Sequence, residues 1–277
     1  MWRLFCHKLT NAFVLNNYLF ALQGVEEMKK IGIIGGIGWP STIEYYRHIC
    51  ELSLTYHANI NITGPAPMPE ILIESLNLNF AVTNRGTSEP GSWDVWDTYF
   101  NNALGRLSKG GAELILIAAV TPHARLNEIS KGIDVPILSV YEAVGSQCKK
   151  QNIESLLVLG TKPTMASAAF KDGMHNYGVR AFYPPTEELK AGVLEIIERL
   201  YQNKTEGASE AITKLVFSCV PEEELNLNKT AVCLGCTELS VAFHDLKGES
   251  SFVLEGISYL NASVAHAELA FEACVTQ

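Results

Sequence analysis

Two apolar runs in this chain end on residues able to hold or move a proton. ILIAAVTPHARL runs from Ile115 to Leu126, and AVCLGCTELSVA from Ala231 to Ala242. The second ends on a thiol, Cys236, followed by the hydroxyl of Thr237 and the carboxyl of Glu238. The first ends on Ala118, Ala119 and Val120, then offers the Thr121 hydroxyl and the His123 imidazole. A thiol between a strand and a helix has its pKa lowered from about 8.5 by the helix N-terminus. The expectation is therefore a partly ionised Cys236, suited to abstracting a proton. Each residue also has a plainer use. Ser41, Thr121 and Thr164 are placed to cap helices, as is Thr237, and Glu238 suits a first helical turn. His123 and His266 could be satisfied core or surface residues.

Other chemistry finds less support. Cys233 and Cys236 form the letters C-L-G-C, but there is no second pair to complete a zinc knuckle, and Cys233 lies inside the apparent strand. Seven cysteines at irregular spacing read as reduced thiols of a cytoplasmic protein, with no metal site. GGIGWPST follows a strand but does not keep the G-x-G-x-x-G phase, so it suits a small anion better than a dinucleotide. The net charge of −9 and the absence of a basic stripe argue against nucleic acid.

The positioning elements alternate. IGIIGG, AELILIAAV and VPILSV read as strands in the first part, with NINITG and EILIESLNL strand-like between them. STIEYYRHICELSL reads as a helix opened by a Ser41/Glu44 capping box, with Ile43, Tyr46 and Ile49 or Cys50 on one face. SWDVWDTYFNNALGRLSKGG reads as a helix closed by Gly110 and Gly111. The pattern restarts at LLVLGT, continues through KTAVCLGC and FVLEG, and ends in the helix NASVAHAELAFEACV. Strands separated by helices imply parallel sheets covered on both faces, with ligands at the carboxyl ends of the strands. The composition, 47% hydrophobic and 18% charged over 277 residues, is that of a folded globular chain.

The set IGIIGGIGWPSTIEYYRHI, LIAAVTPHARL, LVLGTKPTM, FKDGM, VCLGCTEL and NASVAHAE, in that order, resembles the aspartate/glutamate racemase family. The resemblance implies two Rossmann-like α/β domains related by a pseudo-twofold, with the active site in the cleft between them. It places the first domain at residues 28–140, joined by the C-terminal helix 256–277, and the second at 141–255. It also implies cofactor-independent α-proton transfer on an acidic amino acid, by one thiol from each domain, in a cytoplasmic homodimer. The second thiol falls on Cys236, with Thr237 and Glu238 matching. The first begins a C-x-N-T-x-H pattern that here starts at Ala118, with Val120 for the asparagine and Thr121 and His123 matching. Trp39, Ser41, Thr42, Gly160, Thr161 and Thr164 match substrate-side positions, and Lys171 a basic position facing a distal carboxylate. Asn261 stands for an aspartate of the last motif, in which His266 matches. With one thiol missing, Thr121, His123 or a water is left as the second proton donor. The alternatives are a one-cysteine lyase or isomerase of small carboxylic acids, and an inactive ligand-binding relative.

Residues 1–27 precede the first strand. Their apolar run is broken by Asn16 and Asn17 and is too short to span a bilayer. They read as a dispensable extension, with a signal peptide as the competing reading. A chain beginning at Met28 should express and melt like the full chain. A large drop in melting temperature would show that the extension packs on the core.

Overall fold

The computed structural model describes residues 28–58, 64–220 and 229–276. The extension, and all of the NINITG segment but Gly64, lie outside the described residues. Two sheets organise the chain. The first has strands β1 (Ile31–Gly35), β2 (Ile71–Ser75) and β3 (Leu114–Ile117), all parallel, in the order β2-β1-β3. The second has β4 (Ser155–Leu159), β5 (Arg180–Phe182), β6 (Thr230–Leu234), β7 (Ser251–Leu254) and β8 (Ile257–Asn261), in the order β5-β4-β6-β8-β7. Only β7 runs antiparallel, paired with β8. The same winding recurs: in each sheet the first strand lies between the next two in sequence.

Two expected elements differ. VPILSV forms no strand; Ile137 makes a single parallel bridge to Ile115, because Pro136 lacks the N–H that a continuous ladder needs. ISYLN, placed by the resemblance within a C-terminal helix 256–277, is strand β8 of the second sheet, and the helix begins only at Ala262. The strand follows a turn in which Glu255 and Gly256 both have positive φ, 51° and 79°.

Both sheets are covered on both faces. Helix α1 (Trp39–His57) and the last helix, α11 (Ala262–Val275), pack on one face of the first sheet, where Tyr45, Ile49, Ala267, Ala270 and Phe271 meet Ile31, Ile33 and Leu116. Helix α3 (Asp94–Lys109) covers the other face through Trp96, Phe100, Leu104 and Leu107. Between β2 and α3 lies the short α2 (Leu78–Thr83), and after β3 come a 3-10 turn (Thr121–Arg125) and α4 (Leu126–Ile129). The second sheet is covered by α5 (Val140–Lys150) and α7 (Ala169–His175) on one face, with the short α6 (Lys162–Ala166) ahead of α7. On the other lie α8 (Glu187–Tyr201) and α9 (Ala208–Cys219). Each fully buried Ile or Leu in these layers contributes roughly 1.5–3 kcal/mol. Among the described residues no helix is long and apolar enough to cross a membrane.

The start of α1 departs from the expected capping box. The helix begins at Trp39 with Gly38 at the N-cap and Pro40 in its first turn, a position that has no use for a backbone N–H. Ser41 is thereby the third residue of the helix, within its first turn, and free to bond elsewhere. The buried face runs through Tyr45 and Ile49, whereas Ile43 and Tyr46 are about half exposed, at 52% and 48%.

Two buried histidines fasten this region, His266 on the last helix and His123 on the loop after β3. His266 Nδ1 lies 3.1 Å from the Tyr45 hydroxyl, and its Nε2 lies 3.0 Å from the Leu138 carbonyl. The carbonyl can only accept, so Nε2 carries the proton and Nδ1 accepts from the tyrosine. His123 is arranged alike, with Nε2 3.4 Å from the Ile117 carbonyl and the Val140 N–H donating to Nδ1 at 3.4 Å. The two rings are 5.3 Å apart. Burial pulls His123 down to about 3, aided by His266, and His266 down to about 4. Unfolding raises both toward 6.5, so below that pH the unfolded chain binds protons that the folded chain does not. Melting temperature should therefore fall as pH is lowered from about 6.5 to 4. His266→Gln, which removes one titration, should start from a lower melting temperature but show a shallower acid slope. An unchanged slope would remove His266 from the acid response.

Candidate active site

The carboxyl ends of β1, β3, β4 and β6 converge on one small cavity. Its volume is about 60 Å³, room for a few water-sized groups. From the first sheet come Ile37, Gly38, Ser41 and Tyr45 after β1, Arg85 after β2, and Ala119, Val120 and Thr121 after β3. From the second come Thr161 and Thr164 after β4, Tyr201 at the end of α8, and Gly235, Cys236, Thr237 and Glu238 after β6. Ser263, in the first turn of α11, completes the lining. The cavity adjoins a larger vestibule of about 790 Å³, with Arg85, Val120, Thr121 and Thr164 common to both.

Tight backbone turns bring these loops together. A Cβ on Gly35 would stand 2.4 Å from Thr42 Cγ2, so only glycine lets α1 approach this strand end. Gly36, with φ of 81°, turns the chain away and donates its N–H to Thr42 Oγ1 at 2.9 Å. In the second sheet Gly235 donates to the Leu159 carbonyl at 2.7 Å, and a Cβ on Gly160 would stand 3.2 Å from the Gly235 carbonyl oxygen. Gly160 and Thr42 thus shape the strand ends and do not line the cavity.

The thiol lies within a hydrogen-bonded group on the cavity wall. Cys236 is the N-cap of the short helix α10 (Thr237–Val241) and donates to Glu238 Oε2 at 3.0 Å. Thr237 Oγ1 donates to the same carboxylate oxygen at 2.9 Å, and lies 2.5 Å from Ser41 Oγ of the other sheet's helix. Thr161 and Thr164 pair their hydroxyls at 3.2 Å. A hydrogen-bonded path therefore crosses the cleft: Cys236, Glu238, Thr237, Ser41.

That path reverses the expected ionisation. Burial pushes the Cys236 thiol well above its ordinary value, and the negative charge of Glu238 and the hydrogen bond to it push the same way. The backbone N–H groups of Glu238 and Leu239 oppose the shift without overcoming it. The helix end that was expected to ionise the thiol is outweighed, because burial, and after it a carboxylate at bonding distance, penalise the thiolate more than two N–H dipoles favour it. The shift favours the protonated thiol. Cys233, by contrast, is buried within β6 among Leu156, Val158 and Phe170, away from the cavity.

Of the residues singled out from sequence, Cys236, Thr121, Ser41, Thr161, Thr164, Thr237 and Glu238 meet at the cavity. Others do not. His123 is fully enclosed, with both ring nitrogens engaged by backbone, so it is not presented as a proton donor. Trp39 is 69% exposed and lies outside the lining. Lys171 is exposed and lies 4.9 Å from the centre of the Tyr183 ring, its ammonium drawn to the ring face and not to the cavity. Asn261 caps α11 by accepting from the Ser263 N–H at 3.2 Å. Ala118, expected at the missing thiol's position, packs in the core with Ile31, Ile33 and Ala267, and the residue that the loop presents to the cavity is Ala119.

Tyr45 and Ser263 fall within stretches that carry the resemblance but were not singled out as site residues, whereas Tyr201 and Arg85 carried no sequence signal. Tyr201 reads as an ordinary aromatic residue of a helix. Arg85 sat in a polar stretch between elements, although it directly follows α2. Its Nε is buried with no hydrogen-bond partner. Burial lowers its pKa from the usual guanidinium value, and nearby Tyr201 acts in the opposite sense.

Comparison with known proteins places this geometry. The family model described as Asp/Glu/Hydantoin racemase matches residues 34–270. A solved structure of an aspartate racemase homologue from Pyrococcus horikoshii OT3 is 28% identical, superposes with a TM-score of 0.72, and is covered over 100% of its length by 90% of this chain. The aspartate racemase of Picrophilus torridus, at 18% identity and a TM-score of 0.64 over 90% of this chain and 95% of that one, shares the fold. A glutamate racemase of Clostridium perfringens (strain SM101 / Type A) is 29% identical over 164 residues, 57% of this chain. The match spans only 59% of that relative's length. With the family model covering both sheets and the loops that end them, the chain belongs to the Asp/Glu/Hydantoin racemase family.

Proposed function

We propose that this protein transfers the α-proton of a small acidic amino acid, aspartate or glutamate, and that it is an amino-acid racemase or epimerase with one thiol. The observation that carries the reading is the Cys236 thiol, 3.0 Å from the Glu238 carboxylate, on the wall of a cavity between two sheets. An α-proton is a very weak acid, so the base must be close, desolvated and able to shed its own proton first. The Cys236 proton passes to Glu238, leaving a thiolate that the Glu238 and Leu239 N–H groups stabilise. The thiolate then takes the α-proton, and the electron pair stays on the substrate as an enolate. The hydroxyls of Ser41, Thr121, Thr161 and Thr237 are donors around that developing charge.

The two faces of the substrate are served unequally. The wall contributed by the β3 loop offers Ala119, Val120 and Thr121, and a threonine hydroxyl is too weak an acid to replace a thiol. A water held by Thr121 is the donor available there. Return of a proton from Cys236 to its own face is then faster than inversion. The same asymmetry favours a second reading, a one-thiol lyase or isomerase of small carboxylic acids, which needs a proton donor on one face only.

Both enantiomers of aspartate and glutamate, incubated with the protein in D2O, separate these readings. Exchange of the α-proton should exceed racemisation. Cys236→Ser should reduce exchange by about 100-fold or more while leaving the fold intact. Ala119→Cys should raise the racemisation rate relative to exchange, and Ala118→Cys should do so less, because it begins from a core position. Exchange undiminished by Cys236→Ser would sink the mechanism. Absence of exchange in both the parent and Ala119→Cys would leave the lyase and the ligand-binding protein as the surviving readings.

A further inference from the structure

Two donors to the Glu238 carboxylate, Cys236 and Thr237, come from its own loop, and both meet Oε2. A third comes from a different element of the second domain. The Tyr201 hydroxyl is hydrogen-bonded to Glu238, and the residue lines the reaction cavity beside Cys236 and Glu238. Tyr201 as a whole is 58% exposed, whereas Glu238 is 7% exposed. The tyrosine therefore stands in the cavity wall, with much of its surface toward solvent and its hydroxyl on a buried carboxylate. Packing fixes this placement. Val193, Ile197 and Leu200 of α8 share one apolar cluster with Leu239 of α10 and with Cys236, which seats the end of α8 against the start of α10. The helix end is itself closed. Asn203, with φ of 59°, donates its N–H to the Leu200 carbonyl at 2.9 Å, and the Lys204 N–H donates to the Arg199 carbonyl at 2.9 Å. This is the paired closure that satisfies the last carbonyls of a helix, and it holds the turn that carries Tyr201.

We propose that Tyr201 is a positioning residue for proton transfer: its hydroxyl anchors the Glu238 carboxylate beside Cys236 and draws off part of its charge. The inference rests on the reading of Cys236 and Glu238 as the pair that handles the α-proton. Cys236, Thr237 and Glu238 move as one stretch of chain, so a donor on α8 is what fixes the carboxylate relative to the body of the domain. The charged and titratable groups that face the Tyr201 hydroxyl are Cys236, Glu238 and, from the loop after α2, Arg85. Burial, and after it Cys236 and Glu238, push the phenol well above its ordinary value, so it stays protonated and donates. A hydrogen bond to a carboxylate stabilises the ionised form. Tyr201 thus makes Glu238 a weaker base and loosens its hold on the thiol proton, which lets Cys236 ionise at lower pH than the pair alone would allow.

The test is the titration of the Cys236 thiol, read by ultraviolet absorbance of the thiolate as the difference between each variant and the same variant carrying Cys236→Ser. Tyr201→Phe keeps the ring and removes the hydroxyl, so its melting temperature should stay close to the parent's. Its Cys236 titration should move to higher pH by about 0.5 to 1 pH unit, because the carboxylate then holds the thiol proton harder. A purely structural role predicts the opposite sign, since a loosened wall admits water and water favours the thiolate. With Glu238→Gln in place, Tyr201→Phe should move the titration no further, because Tyr201 acts through Glu238. A shift to lower pH, no shift, or the same upward shift in the Glu238→Gln background would overturn the proposal. The pH profile of α-proton exchange in D2O, measured on aspartate and glutamate, should move to higher pH on both limbs in Tyr201→Phe, and an unmoved profile would also overturn it. Absence of exchange in the parent would refute the proton-transfer reading instead, with the titration still deciding whether Tyr201 holds Glu238.

Discussion

The hydrogen bond from the Cys236 thiol to the Glu238 carboxylate, 3.0 Å long and shielded from solvent, is the constraint around which this site is built. A thiol and a carboxylate two residues apart, both on the rim of one strand end, cannot both be charged at low cost. The protein keeps the thiol neutral and anchors the carboxylate through Thr237, whose hydroxyl in turn meets Ser41. Because Ser41 belongs to a helix of the first sheet, the hydrogen-bonded chain that begins at the thiol of one half ends on the other half. Gly38 at the N-cap and Pro40 in the first turn are what place Ser41 third in the helix and free it for this contact.

The same logic gives the two histidines their role. His123 and His266 are residues whose chemistry suggests acid–base work, and the resemblance of the β3 loop to a catalytic motif strengthens that suggestion. Their surroundings assign them otherwise. Each has one nitrogen donating to a backbone carbonyl and the other accepting, which fixes a single neutral tautomer and leaves no free lone pair. They fasten the β3 loop and the last helix to the body of the first domain, and so set the wall of the cavity without entering it. The thiol thereby stands on one side of the cavity, while Ala119 and Val120 offer no titratable group on the other.

Much of this was legible in the sequence, for definable reasons. The buried parallel strands β1, β3, β4 and β6 are short apolar runs closed by small residues, and such runs have few alternative readings. Cys236, Thr237 and Glu238 stood out because they follow one of those runs directly. What escaped depends on tertiary context. Strand β8 was hidden because ISYLN is short and joined to the helix signal after it. The capping box at Ser41 was plausible locally and was displaced by a proline that starts the helix earlier. Arg85 gave no local signal at all, since a guanidinium after a short polar helix is ordinarily solvated. Only its enclosure between two sheets leaves Nε without a partner. The thiol's ionisation was misjudged for a related reason: the helix end is visible in sequence, whereas burial and the orientation of Glu238 are not.

The central claim, that Cys236 rests as a protonated thiol held by Glu238, is tested most directly by its own titration. Thiolate absorbance near 240 nm can be followed against pH as the difference between the parent and Cys236→Ser, with Glu238→Gln measured in the same way. The account predicts no Cys236 signal at pH 7, its appearance only above the ordinary thiol value of about 8.5, and a shift to lower pH in Glu238→Gln. A Cys236 thiolate signal already present at pH 7, or a titration that Glu238→Gln leaves unmoved, would contradict it.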